Sequence, residues 1–282
     1  DSEVDQRIQY SHLSPILNIS KYVEHYFSST IKYLGPLRDE PRSLYPVSRC
    51  NLITIIELRG EHTAAVYDLY NKKDVEYIPS DEFNTKLLNP QNSSRRTQSA
   101  ICDWLTYLGV AKDIITEDRG KFGHELKVIT EDLAKKQDLT HVGVGVSQVF
   151  PILVMCLLAD SDSTIIIEQP ELHLHPKVQS LLADFFLSMT YLGKQCIIET
   201  HSEYIINRLR FRAAAARESS ISDLMKIYFV EKKGGQSTFS SVDVNKYGAI
   251  QEWPEGFFDQ SQAEAEEILR AATKKHKAEK GK

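Results

Sequence analysis

Residues 163–209 read STIIIEQPELHLHPKVQSLLADFFLSMTYLGKQCIIETHSEYIINRL. This stretch holds two short apolar, β-branched runs, Thr164–Ile167 and Cys196–Ile198, and each run is followed by acidic and polar residues. Such runs are typical of strands that are buried on both faces of a parallel sheet. Between them, apolar residues recur at helical spacing from about Pro176 to Tyr191. The pattern therefore predicts a strand, a crossover helix and a second parallel strand.

Polar side chains come directly after both predicted strands. Those after the first strand are Glu168, Gln169 and Glu171, and those after the second strand are Glu199, Thr200 and His201. In open α/β sheets, ligands bind beyond the carboxyl ends of the strands. The sequence therefore predicts a ligand site at this edge of the sheet.

Three motifs in this region resemble those of ABC-class P-loop ATPases of the SMC-like and OLD-like group. IIIEQP at Ile165–Pro170 resembles the Walker B strand, and ETHS at Glu199–Ser202 resembles the switch segment. HVGVGVSQ at His141–Gln148 resembles the signature loop of this group, although it is not the LSGGQ of the transporters. Because the three motifs stand in the right order and spacing, the resemblance is specific. It covers roughly Leu139–Arg210.

The resemblance implies an α/β fold. We expect one half of a P-loop NTPase core of the ABC-ATPase type, with a parallel or mixed sheet, a helical insert and a small α+β region at the C-terminus. The predicted domains are the N-terminal part of the ATPase core (1–60), a helical or arm insert (61–138), the core with the signature, Walker B and switch motifs (139–212) and a C-terminal hairpin and helix region (213–282).

The resemblance also implies that the site binds ATP and Mg²⁺. Glu168 would help to hold Mg²⁺, directly or through water, at a position where the family usually has Asp. His201 would hydrogen-bond the γ-phosphate or the attacking water. In this family the signature loop of one protomer meets ATP bound by another. The signature residues expected to contact nucleotide are Gly143, Gly145, Ser147 and Gln148.

Gln169 departs from the family pattern, which has a catalytic Glu at this position. An amide cannot accept a proton as a base, although it can orient a water molecule, as a glutamine does in GTPases. Glu171 lies two residues further on and could supply the missing carboxylate. Three outcomes stay open: slow hydrolysis, hydrolysis through Glu171, or nucleotide-gated switching without turnover. We expect slow but real hydrolysis.

The chain contains no Walker A motif, G-x-x-x-x-G-K-[ST], to hold the phosphates. The pairs Gly120-Lys121 and Gly193-Lys194 are not followed by Ser or Thr, and neither has a glycine five residues before its own glycine. In this family, Walker A lies N-terminal to the segments seen here. We therefore expect the C-terminal part of a longer ATPase, with a naturally split protein as the alternative.

Outside the core motifs, the pattern predicts several further elements. A helix with one buried face is expected within Ile8–Ser29, a strand at Ile31–Leu34 and an amphipathic helix at Gln98–Val110 with Trp104 in the core. The Gly234-Gly235 pair predicts a hairpin between strands at Met225–Glu231 and Ser237–Val244, followed by a helix that reaches about Lys275.

Two pairs of residues leave alternatives open. Arg38 and Arg42 follow the predicted strand in a proline-rich loop, where they could meet nucleotide, a partner or DNA, or pair with the local acids. His173 and His175 form an HxH pair that suggests a metal, but no third ligand stands at useful spacing. We favour a loop by which paired ATPase cores touch.

Composition sets the broad class. With 41% hydrophobic and 26% charged residues, the chain is typical of a globular protein. Its net charge of −5 excludes a uniformly basic nucleic-acid binder, although a local basic patch stays possible. The sequence shows no apolar run of membrane-spanning length. The four cysteines form no CxxC pair, and we expect a cytoplasmic protein.

The leading hypothesis for the function is an ATPase that dimerises, or forms a larger assembly, on binding ATP. It would gate an effector protein such as a nuclease, in a nucleic-acid-directed system such as antiphage defence or DNA repair, with nucleic acid as a possible partner. One alternative is a scaffold that has kept the fold and lost turnover, which Gln169 favours. Another is an OLD-type nuclease, but Glu231 is followed by no D-x-D pair, and Asp243-Val244-Asn245 falls short.

Overall fold

The computed structural model describes residues 16–42, 44–45, 56, 58–84, 90–120, 123–130, 136–141, 143–216, 220–252, 254, 256–258 and 260–280. It divides into two compact units, Asp1–Arg208 and Leu209–Lys282. The described helices are α1 (16–25), α2 (Thr63–Tyr70), α3 (Thr97–Leu108), α4 (Gly145–Leu158), α5 (Pro176–Tyr191), α6 (Glu203–Ala215), α7 (Ser220–Asp223) and α8 (Gln260–Lys280). The described strands are β1 (Ile31–Leu34), β2 (Asp74–Tyr77), β3 (Ser93–Arg96), β4 (Asp113–Asp118), β5 (His124–Ile129), β6 (Gln137–Asp138), β7 (Thr164–Glu168), β8 (Gln195–Glu199), β9 (Ile227–Lys233) and β10 (Gln236–Val242).

The centre of the first unit is a parallel sheet with the strand order β1-β7-β8. β7 and β8 are the two predicted strands, and α5 connects them between the predicted residues, so the β–α–β prediction is confirmed. Pro176 starts α5, where a missing N–H costs nothing and the fixed φ suits a helix. The α/β fold class is therefore confirmed.

Apolar side chains of the helices cover this sheet and form the core. α4 is almost wholly buried from Val146 to Leu157, as expected for a helix that is apolar on every side. α3 buries Trp104 completely, as predicted, and its ring packs edge-on against Phe185 of α5 at 5.1 Å between centroids. Aromatic pairs in this geometry add to the stabilisation that burial provides.

The region predicted as a helical or arm insert contains strands beside its helices. β2 pairs with β3, and β4, β5 and β6 form a second antiparallel sheet. Short 3₁₀ turns at Ser80–Asn84 and Leu139–His141 connect these elements. Hairpin strands of four to six residues need cross-strand partners that local periodicity does not reveal.

The buried face predicted for the N-terminal helix is wrong for the part that the structure describes. Residues 16–25 are helical, and a π-helical turn follows at Tyr26–Thr30, but every residue of 16–25 is exposed. Ile16 and Ile19 are each 63% exposed. An amphipathic pattern specifies a face that can be buried, whereas burial itself requires a partner surface.

The second unit is built around the predicted hairpin. β9 and β10 pair antiparallel across the Gly234-Gly235 turn, where both glycines have a positive φ. The long helix α8 extends to Lys280, slightly past the predicted end. None of the helices in the described residues has both the length and the apolar character that crossing a bilayer demands.

A buried charged pair anchors the helix that follows the predicted switch segment. The Asp184 carboxylate of α5 is fully buried and accepts hydrogen bonds from Arg208 of α6, from Nε at 2.9 Å and from Nη2 at 2.6 Å. Tyr107 of α3 donates its hydroxyl to the same carboxylate at 2.7 Å. Three helices are therefore joined at one buried carboxylate.

We predict that Arg208→Met lowers the free energy of unfolding by about 3–5 kcal/mol, because it leaves a buried carboxylate without its counter-ion. The free energy of unfolding should fall much less in the double variant Asp184→Leu/Arg208→Met, because this variant removes both charges and fills the space with apolar atoms. Urea denaturation followed by circular dichroism measures both. A double variant no more stable than Arg208→Met would contradict this account.

Candidate functional site

The register of β7 and β8 brings the predicted site residues to one edge of the sheet. Glu168, the last residue of β7, lies opposite Glu199, the last residue of β8. The backbone N–H of Gln169 donates to the Glu199 carbonyl at 2.9 Å, so the pairing continues one residue beyond the strand. The loops that follow both strands therefore start side by side.

The carboxylate of Glu168 is oriented by a tyrosine of the neighbouring strand. Tyr33 of β1 donates its hydroxyl to Glu168 Oε1 at 2.9 Å. This hydrogen bond, together with burial and the negative charge of Glu168, raises the pKa of Tyr33 above its ordinary value. Tyr33 therefore stays a neutral donor at physiological pH and fixes one oxygen of the proposed Mg²⁺ ligand.

Arg38 holds the backbone of the same residue. Its guanidinium is buried and donates to the Glu168 carbonyl from Nη1 and Nη2, both at 3.1 Å, and to the Gly35 carbonyl. Burial lowers the pKa of Arg38 to about 10, while the nearby carboxylates of Glu171 and Glu168 oppose that shift. Its Nε is buried and has no hydrogen-bond partner among the described residues.

Gln169 adopts a backbone conformation that side chains other than glycine rarely take. Its φ is 44°, in the left-handed region. Its N–H also lies 3.2 Å from Glu199 Oε2, so the strained turn is held from the adjacent strand. Strained residues of this kind cluster at functional sites, where the surrounding structure supports the cost.

His201 stands at the end of β8 with its side chain 77% exposed. Its Nε2 lies 3.3 Å from Glu199 Oε1. The imidazole is therefore oriented from one side by a carboxylate and is open to solvent on the other sides. The His201 side chain therefore has space to turn toward a ligand.

Glu171, predicted as a possible source of the missing carboxylate, is buried, and each of its two oxygens accepts a hydrogen bond. Its Oε2 accepts from the Thr200 hydroxyl at 2.7 Å, and its Oε1 accepts from the backbone N–H of His201 at 2.6 Å. One side chain after β7 therefore fixes two residues after β8.

The residues of the predicted signature loop differ in how far they are exposed. Ser147 and Gln148 are buried in the first turn of α4, and the Ser147 hydroxyl donates to the Val144 carbonyl at 2.7 Å. Gly143 and Val144 are exposed, while Gly145 is partly covered and lies against Leu174. Gly143 and Val144 are therefore open to solvent, whereas Ser147 and Gln148 are enclosed.

The donor set fits a Mg²⁺ ion that is shared with phosphate. Mg²⁺ is held in proteins by one or two carboxylates, with phosphate oxygens and water as the other ligands. Glu168 supplies such a carboxylate, with Tyr33 on one of its oxygens. Among the described residues, no group of three or more His, Cys, Asp or Glu side chains could hold a metal by itself.

Two residues of this site lie far from the motifs in sequence. Tyr33 was missed by the sequence analysis, and Arg38 contacts the backbone of Glu168 instead of a local acid. Arg42 does pair with a local acid, since its Nη2 lies 3.0 Å from Asp39 Oδ1. The signal that could have found Tyr33 is the segment YLGPLR at residues 33–38, which begins within β1, the strand that pairs with β7.

We predict that Arg38→Met lowers the free energy of unfolding by about 2 kcal/mol, because the Glu168 and Gly35 carbonyls lose a charged donor. Arg42→Met is the matched control and should change the free energy of unfolding by less than about 1 kcal/mol, since the Arg42 side chain is half-exposed and pairs with Asp39 near the surface. Urea denaturation tests both. Equal losses in the two variants would contradict the structural role of Arg38.

Two protein-family models match parts of the chain. A family model described as "AAA domain, putative AbiEii toxin, Type IV TA system" matches residues 51–207. A second model, described as "Protein of unknown function (DUF3696)", matches residues 222–268. No curated protein matches the chain in sequence.

Similar solved structures include heads of SMC ATPases. One comes from work on ATP-driven dimerization and DNA-stimulated activation of SMC ATPases; it has 14% identity and a TM-score of 0.40, over 52% of this chain and 83% of that one. Another is an Smc head bound to the C-winged helix domain of ScpA, with 16% identity and a TM-score of 0.37, over 53% of this chain and 42% of that one. A third, from Pyrococcus furiosus, is an Smc head domain with an extended coiled coil bound to the C-terminal domain of ScpA. It has 13% identity and a TM-score of 0.37, over 61% of this chain and 37% of that one. At these identities the similarity concerns the fold alone.

The strands β7 and β8, the crossover helix α5 and the polar edge after the two strands all lie within the residues that the first family model matches. That match takes in residues 51–207 of 282, which is more than half of the chain. The chain therefore belongs to the AAA-domain family that this description names, and its α/β fold is that of a P-loop ATPase.

Proposed function

We propose that this chain is the ATP-binding and ATP-hydrolysing subunit of an ATPase, and that the edge formed by the ends of β7 and β8 is its hydrolytic half-site. One observation carries the proposal. Two adjacent parallel strands deliver Glu168, Gln169 and His201 to the same edge, in a register that is held by backbone hydrogen bonds. P-loop ATPases generally bind ATP with Mg²⁺, which places a γ-phosphoryl group within reach of a water molecule.

Glu168 would hold the Mg²⁺ ion in this half-site. The Tyr33 hydroxyl donates a hydrogen bond to Glu168 Oε1, and the Arg38 guanidinium donates to the backbone carbonyl of Glu168. The carboxylate of Glu168 is therefore oriented before a ligand binds. Preorganised groups stabilise developing charge without a cost of reorganisation at the moment of reaction. Glutamate offers the same hard oxygen as aspartate, on a longer side chain.

Gln169 and His201 would act on the attacking water and the terminal phosphate. The Gln169 amide can donate to and accept from a water molecule, but it cannot remove its proton. The exposed imidazole of His201 can donate to a phosphate oxygen once it turns from Glu199. These residues orient the reactants without a strong base, which is why we propose slow hydrolysis.

The phosphate cradle must come from a segment that contains the Walker A motif, because the chain itself has none. In the described sheet β8 is an edge strand, and its apolar Ile197 is 48% exposed. An apolar edge strand is a surface that a further strand can extend. We place the cradle on this edge, next to His201.

We further propose that ATP closes two copies of the subunit, or a larger assembly, and that this closure gates an effector protein such as a nuclease. The exposed residues Gly143 and Val144, directly before α4, form the surface that would meet the nucleotide of the partner copy. A nucleic-acid-directed system such as antiphage defence or DNA repair is the proposed setting. It rests on analogy with the family and not on a feature of the site.

A non-catalytic scaffold is the second candidate, and Gln169 is the observation that favours it. The position next to the Mg²⁺ ligand carries an amide that cannot serve as a base. A scaffold of this kind would still bind ATP and still close on it. The two candidates differ only in turnover.

We predict that Gln169→Glu raises the rate of ATP hydrolysis by about tenfold or more, because it adds a proton acceptor beside the attacking water. His201→Ala should lower the rate of the parent protein. Phosphate release by the complete ATPase, with its phosphate-binding segment present, measures both changes.

Gln195→Glu is the matched control, since it makes the same chemical change at the opposite end of β8. It should leave the rate within about twofold of the parent, as expected for a surface change away from the reacting groups. A rate indistinguishable from background in the parent and in Gln169→Glu would favour the scaffold over the enzyme.

A further inference from the structure

A ring of hydrogen bonds connects the loop after β7 with the switch segment after β8. Glu171 accepts from the Thr200 hydroxyl at 2.7 Å, and the same hydroxyl oxygen accepts from the Ser202 backbone N–H at 3.0 Å. Ser202 donates its hydroxyl to Gln179 Oε1 at 2.7 Å. Gln179 in turn donates to the Leu174 carbonyl at 2.9 Å, and Leu174 donates its N–H to the Glu171 carbonyl at 3.0 Å. We call these five residues the Glu171 ring.

The Glu171 ring has one branch that reaches a proposed catalytic residue directly. The second carboxylate oxygen of Glu171 accepts from the backbone N–H of His201 at 2.6 Å. The His201 side chain is itself 77% exposed, so little packing holds it in place. The position of its imidazole therefore depends on the backbone that Glu171 fixes.

The same contacts oppose a role for Glu171 as the general base. Glu171 is buried, and each of its oxygens already accepts a short hydrogen bond. A base must lie within hydrogen-bond reach of the proton that it removes. For Glu171 to take a proton from water, it would have to move out of the ring and release the switch segment.

We propose that Glu171 is a positioning residue, which locks the backbone of the switch segment so that His201 is presented to the nucleotide from a fixed position. This inference rests on the proposed function for its catalytic consequence. The lock itself is a property of this chain and can be tested without nucleotide.

The chemistry of the ring distinguishes positioning from proton transfer. In Glu171→Gln, the amide oxygen can still accept from the His201 N–H, and the amide NH₂ can donate to the Thr200 oxygen. Thr200 has two acceptor lone pairs, so it can keep the Ser202 N–H as well. Glu171→Gln thus preserves both contacts and removes only basicity and charge, whereas Glu171→Ala removes the contacts.

The first experiment measures hydrogen exchange of the His201 backbone amide by NMR, in this chain without nucleotide. We predict that Glu171→Gln keeps most of the wild-type protection of this amide against exchange. In Glu171→Ala, the protection factor of the same amide should fall by at least about tenfold. Thr200→Val keeps the shape but removes the donor to Glu171 and the acceptor of the Ser202 N–H, while it leaves the bond from Glu171 to the His201 N–H in place. Its protection should lie between those of the two Glu171 variants, and it serves if Glu171→Ala does not fold. Equal protection in all four proteins would overturn the lock.

The second experiment measures kcat and its pH profile in the complete ATPase. If Glu171 positions the switch segment, then kcat of Glu171→Ala should be about 100-fold below that of the wild type, which is the usual cost of losing a preorganised group. Glu171→Gln should stay within about tenfold of the wild type with an unchanged pH profile. Glu203→Gln, a charge removal outside the ring, is the control. If Glu171→Gln is as slow as Glu171→Ala, then Glu171 acts through its charge or as a base, and the inference is wrong.

The two experiments separate the inference from the function on which it rests. A wild-type ATPase without turnover would overturn the proposed function and the catalytic consequence of the lock. The exchange of the His201 amide would then still decide whether Glu171 fixes the switch segment.

Discussion

The pairing of β7 with β8 is the interaction on which the rest of the site depends. Because the two strands are parallel and in register, Glu168 lies opposite Glu199, and both following loops start at the same edge. A shift of one residue would turn every side chain of β8 to the other face of the sheet. The backbone bond from Gln169 to Glu199 and the crossover helix between the strands oppose such a shift.

Around this pairing, most side chains of the site are held by hydrogen bonds to their neighbours, and one side chain is largely exposed. Tyr33 donates to the carboxylate of Glu168, and Arg38 donates to its backbone carbonyl. Glu171 accepts from the backbone N–H of His201. Only the imidazole of His201 is largely exposed among these side chains. A preformed carboxylate beside one exposed imidazole suits a ligand that brings its own cation and its own negative charge, as Mg²⁺–ATP does.

The sequence was sufficient for features that depend on neighbours in the chain. Apolar runs predicted β7 and β8, and helical periodicity predicted a helix from about Pro176 to Tyr191, which is where α5 lies. Glu168, Glu171 and His201 could be named because each follows a predicted strand. Tyr33 and Arg38 could not be assigned their contacts, because they reach Glu168 only through the pairing of β1 with β7, more than 120 residues apart in sequence. The burial of Ser147 and the exposure of residues 16–25 likewise depend on packing partners that periodicity does not encode.

The central claim is that the carboxyl ends of β7 and β8 form the nucleotide-facing edge of this ATPase. A structure of the complete ATPase with Mg²⁺ and a slowly hydrolysed ATP analogue tests it most directly. The account predicts that the metal lies next to the Glu168 carboxylate, directly or through one water. The terminal phosphate should lie within hydrogen-bond reach of His201. A nucleotide bound elsewhere, with Glu168 and His201 facing only solvent, would contradict the claim.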